Sequence, residues 1–152
     1  MAAVFLLQWA WMPIVIQPSA SVERGLWVRG WGAVAKGDLV LIDAPDAVIG
    51  LLDRHGRHGH TRLLKPVAGL VGQTVRCDES GLVIDGVRLA PTARVTSQGE
   101  AMPVFGMDRV LQPGEAWLLA EGVLTSVDSR CFGPVVLDEA QGPYRLWWSW
   151  DR

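Results

Sequence analysis

The chain of 152 residues is long enough for one domain with an appendage and for a real hydrophobic core. Its 14 basic and 16 acidic side chains leave a formal net charge of -2, which excludes the basic face that a nucleic-acid partner demands. Two cysteines, Cys77 and Cys131, make neither a metal framework nor a disulfide scaffold, and leave open one bridge if the domain lies in an oxidising compartment.

The first charged side chain is Glu23. The apolar run over 2–16 is the one membrane candidate, short of the roughly 20 residues that usually span a bilayer and interrupted by Pro13. No Lys or Arg precedes it, as a signal peptide would show. The organisation expected is an apolar N-terminal membrane anchor over 1–17 and an extracytoplasmic domain over 18–152. A cleaved leader or a buried element of the domain are the other readings of the run. The chain also holds eight tryptophans, a residue suited to surfaces wet on one side and apolar on the other, and equally to a Trp-rich core.

From residue 26 the pattern reads as strands. Residues 26–34 alternate loosely, Lys36-Gly37-Asp38 is a turn, and 39–42 is a continuous apolar run of the kind a buried strand shows. Residues 44–54 form the best helix candidate, with Pro45 in the first turn and Val48, Leu51 and Leu52 at helical spacing. His55, His58 and His60 follow on a Gly-spaced loop. No carboxylate or Cys completes a ligand set there, so no metal is assigned. Strands are expected over 62–68, 74–77 and 82–84, with Asp85-Gly86 as a two-residue hairpin turn into 87–89. Residues 90–107 read as a long irregular loop, 116–120 and 132–137 as strands, and 144–150 as an aromatic tail. The whole reads as a mainly β domain of short strands with one helix.

Three stretches could carry chemistry. Ser19-Ala20-Ser21 places two hydroxyls at the end of the apolar run. Lys65 lies in Leu63-Leu64-Lys65-Pro66-Val67-Ala68, flanked by apolar residues. Burial there would disfavour the charged amine and leave a general base at ordinary pH, whereas a snorkelling strand lysine would do nothing. In Thr125-Ser126-Val127-Asp128-Ser129-Arg130-Cys131, an Asp128–Arg130 ion pair could pin a loop that also carries hydroxyls.

Taken together and in this order, the three blocks resemble bacterial type I signal peptidases, most closely their conjugative-transfer (TraF-like) serine protease branch. The nucleophile block of that branch is matched from Ser19 to Trp27 except at Glu23, where proline is expected. The lysine block, Leu64 to Val75, keeps the lysine and glycine but carries Pro66, Val71 and Gln73 in place of Arg, Pro and Asp. The last block, Ser126 to Val135, is kept with Cys131 in place of tyrosine.

The resemblance implies a signal-peptidase/LexA-like fold of coiled antiparallel sheets behind an N-terminal membrane anchor helix. It implies a serine–lysine dyad of Ser21 and Lys65, with Ser21 Oγ in hydrogen-bond reach of Lys65 Nζ. Ser126 would orient the lysine, Ser19 and the Ser21 N–H would form the oxyanion hole, and Asp128 and Arg130 would be a structural ion pair. No metal or organic cofactor is implied. The partners would be a precursor protein, a conjugative pilin above all, and the bacterial inner membrane, with the catalytic domain facing the periplasm. A housekeeping signal peptidase and a catalytically idle periplasmic assembly module are the alternatives.

Overall fold

The computed structural model describes residues 13–57 and 61–151. Two antiparallel sheets make up most of it. The first holds strands β1 (Ile14–Gln17), β2 (Gly25–Arg29), β3 (Leu39–Asp43), β4 (Arg62–Leu70), β9 (Glu115–Leu118), β10 (Val135–Val136) and β11 (Gln141–Ser149), in the spatial order β1-β2-β11-β3-β4-β9-β10. The second holds β5 (Thr74–Asp78), β6 (Gly81–Ile84), β7 (Val87–Ala90) and β8 (Met107–Val110), in the order β7-β6-β5-β8. Helix α1 (Asp46–Arg54) and the single turn α2 (Ser129–Phe132) are the α-helices among the described residues. The mainly β expectation is therefore met.

Local chemistry explains most of these elements. Helix α1 buries Val48, Leu51 and Leu52, the three residues at i, i+3, i+4, against Val40, Ile42 and Leu63 of the sheet. The β6–β7 turn places Asp85 at φ 50° and Gly86 at φ 78°, both in the left-handed region, as an Asp-Gly hairpin turn requires. β4 is the spine: its first half pairs with β3, from Leu39↔Pro66 to Asp43↔Arg62, and its second half with β9, from Val67↔Leu118 to Leu70↔Ala116. A second apolar cluster, with Trp117 and Leu82 at its centre, fills the space between the sheets, and a third gathers Val15, Trp27, Leu41, Leu64 and Tyr144.

Several expectations change. The turn after β4 falls at Val71 and Gly72, so Gly69 and Leu70 belong to the strand. The strand expected over 132–137 is mostly absent. Asp128 accepts the Arg130 N–H and starts α2 instead, Gly133 at φ 85° ends it, and only Val135–Val136 pair with β9. Within the loop expected over 90–107, Met107 already opens β8, which pairs with β5. The aromatic tail is β11, inserted between β2 and β3.

Of the apolar run expected to be an anchor over 1–17, Ile14–Gln17 form β1, and residues 1–12 lie outside the described part, as do His58 and His60. No helix among the described residues is long and apolar enough to cross a membrane. Cys77 and Cys131 are both buried free thiols.

Candidate active site

β1 and β2 form a hairpin whose last pair is Gln17↔Gly25, so residues 18–24 are its loop and carry the two serines at its apex. Ser19 Oγ and Ser21 Oγ lie 3.3 Å apart. Gln17 Nε2 donates to Ser19 O at 3.1 Å and also to Ser19 Oγ, which fixes the first serine from below. Among the described residues the Ser21 backbone N–H has no acceptor. Ser21 opens onto a cleft of about 500 Å³ whose walls include Val22, Trp27, Leu39, Pro66, Val67 and Leu119, with Glu23, Lys36 and Glu121 as its charged members.

Lys65 stands in β4 directly across from Val40 of β3. It is only 4% exposed, with Leu63, Leu64 and Val67 of its own strand buried around it. Burial pushes its amine down to about 8, because the charged form loses its water; Asp128 opposes the shift, and Arg57 and Arg130 add to it. Lys65 Nζ donates one hydrogen bond, to Ser126 Oγ at 2.7 Å. An amine so placed is a base of moderate strength whose lone pair is aimed by a hydroxyl.

Ser126 is itself held by the ion pair two residues further on. The fully buried Asp128 carboxylate accepts Arg130 Nε at 2.9 Å and Nη2 at 2.9 Å, together with the backbone N–H groups of Ala120 and Arg130. Arg130 gives two further donors to Pro91 O at 2.8 Å and Val123 O at 2.9 Å. Ser129 Oγ accepts the Leu118 N–H at 2.8 Å. The network closes the 119–130 segment onto β9, and Ser126 N–H completes it on Val123 O.

The structure thus brings Lys65 to Ser126, Ser19 to Ser21 and Asp128 to Arg130. Among the described residues Ser21 and Lys65 make no hydrogen bond to each other; Ser21 shares its cleft with Pro66, the residue after the lysine. Catalytic hydrogen bonds in a substrate-free site are commonly long and tighten when substrate binds. Two contributors had no sequence signal singled out for them. Gln17 is the lone polar residue between Ile16 and Pro18, and its buried side chain is what seats Ser19. Pro91, inside the irregular loop, supplies a carbonyl to Arg130.

The comparisons with known proteins give the family. A family model described as "Signal peptidase, peptidase S26" matches residues 2–150. No curated protein matches the chain. Among solved structures, a signal peptidase I from Enterococcus faecalis V583 is similar at 21% identity and a TM-score of 0.46, over 75% of this chain and 98% of that one.

Proposed function

The chain belongs to the peptidase S26 signal peptidase family and is a serine peptidase acting on precursor proteins, and from that premise we propose the residues that do the work. Ser21 Oγ attacks the scissile carbonyl and passes its proton to the neutral Lys65 Nζ. The oxyanion that forms takes hydrogen bonds from the Ser21 N–H and the Ser19 hydroxyl. Collapse breaks the C–N bond, the Lys65 ammonium gives its proton to the leaving amine, and an acyl-enzyme remains on Ser21. Water then adds to the ester with Lys65 again as base; the substrate's own amino terminus in water's place would yield a cyclic product. Ser126 orients the lysine, the role of the third group in triad logic. Asp128 and Arg130 act at one remove, by holding the segment that carries Ser126.

The observation that carries this reading is the burial of Lys65, which depresses its amine to about 8 while a single hydroxyl aims it. The substrate proposed is a secreted precursor with small residues before the cut, a conjugative pilin or another transfer-apparatus protein in first place. The proposed setting is the outer face of the bacterial inner membrane. Support for a membrane surface comes from Trp31, Trp147, Trp148 and Trp150, which are exposed by 90, 72, 61 and 49%.

The test is cleavage by the full-length protein in detergent of two precursors, a pilin type and a general secretory type, with product masses read by mass spectrometry. Faster cutting of the pilin type, and none by Ser21→Ala, is expected. Undiminished cutting by Ser21→Ala rules out the nucleophile; equal cutting of both precursors rules out the dedicated role.

A further inference from the structure

The loop that carries Ser21 is tied down on both arms, and one tie comes from the far end of the chain. On the first arm Gln17 holds Ser19. On the second, Trp27 Nε1 donates to Glu23 O at 3.0 Å. Arg24 is then held on three sides. Its backbone N–H donates to Asp151 Oδ2 at 3.2 Å, its guanidinium Nε donates to Asp151 Oδ1 at 2.9 Å, and its carbonyl accepts the Trp150 N–H at 3.0 Å.

The next residue lets the strands come this close. A Cβ on Gly25 would sit 2.0 Å from Trp148 O, a contact only glycine avoids. Between the two tied arms, Ser21 has no backbone hydrogen bond of its own among the described residues, so the arms decide where its hydroxyl stands.

We propose that Asp151 is a positioning residue for the nucleophile loop: its carboxylate, with the Trp150 amide, clasps Arg24 and so presents Ser21 to the cleft. The inference rests on Ser21 being the nucleophile. An ion pair with side chains 51% and 36% exposed adds little to global stability, so a loss of rate can be separated from a loss of fold. A small misplacement of a reacting group is costly by comparison, up to about 100-fold in rate for an ångström.

The experiment uses the full-length chain in detergent with a cleavable precursor. Asp151→Ala is expected to lower kcat about ten-fold with KM and Tm unchanged, a fraction of what a full ångström's misplacement costs. It should speed amide hydrogen exchange at Arg24 and Gly25 but not in β4. Asp151→Asn, which can still accept the Arg24 N–H, recovers part of the rate. Arg24→Ala lowers kcat too, and the double variant is no slower than Asp151→Ala alone, as two halves of one contact behave. Unchanged kcat in both single variants overturns the clasp, as does a fall in kcat matched by a fall in Tm. Ser21→Ala keeps the two ideas apart. If it still cleaves, the nucleophile assignment fails; if it is inactive while Asp151→Ala is fully active, only the clasp fails.

Discussion

Lys65 is the residue on which the proposed chemistry turns, and its position is expensive. Its amine titrates at about 8 in the folded chain, against 10.5 as the ordinary value, and below that pH it is buried with its charge. The proposed base is the neutral form, so processing should rise through pH 8 and level off above it; at pH 7 about a tenth of the molecules hold Lys65 neutral. A rate profile flat between pH 6 and 9 would remove the lysine from the reaction. The same shift has a consequence for stability. Between about 8 and 10.5 the unfolded chain keeps a proton that the folded chain has released, so this group makes folding more favourable as pH rises through that window, and its full penalty is present below it. Lys65→Met should therefore abolish cleavage yet stabilise the domain at pH 7 by about 2 kcal/mol, the penalty of the shift less the bond lost at Ser126. The gain should vanish above pH 10.5. Urea titration at the two pH values measures it, and a destabilised variant at pH 7 would contradict the account.

Among the elements, the segment from Ser126 to Phe132 shows most clearly what sequence could and could not convey. The pairing of Asp128 with Arg130 was legible, since two opposite charges one residue apart before an apolar stretch suggest a pinned loop. That they start a helical turn was not, because Phe132-Gly133-Pro134-Val135-Val136-Leu137 has the composition of a strand. The Asp128 cap and Gly133 decide otherwise. The pair is buried on both sides, at 0 and 3% exposure. Removing one partner leaves the other charge without compensation, so Asp128→Ala should lower stability by about 3–5 kcal/mol. A thermal melt within a degree or two of the parent would mean that the pair holds nothing together. β11 was missed for a related reason: a bulge between Leu146 and Trp148 breaks the alternation that marks a strand, and Gly142-Pro143 reads as an interruption. α1, whose buried face keeps a helical period, and β4, an apolar run bounded by a turn, were legible almost to their ends.

At the scale of the whole molecule, the proposed site is assembled from parts far apart in the chain. Ser19 and Ser21 come from the first hairpin, Lys65 from the central strand, Ser126 from a segment beyond the second sheet, and the proposed clasp on Arg24 from residue 151. The order of the three sequence blocks pointed to the family, which the match over residues 2–150 shows. The Lys65–Ser126 contact followed from the resemblance alone, not from the residues of either block, because it depends on the Asp128 network folding Ser126 back to Lys65; the Ser21–Lys65 hydrogen bond expected beside it is not formed among the described residues. Among the described tryptophans, Trp27 and Trp117 lie in the core, and Trp31, Trp147, Trp148 and Trp150 are exposed.

The central claim, a dyad of Ser21 and Lys65, is tested most directly by trapping the acyl-enzyme. A precursor mixed with the full-length protein at pH 9 and quenched in acid within the first turnover should leave an acyl adduct on the peptide containing Ser21, located by mass spectrometry. The adduct should be absent in Ser21→Ala and in Lys65→Ala. An adduct on another residue, or one formed as fast in Lys65→Ala as in the parent, would contradict the account.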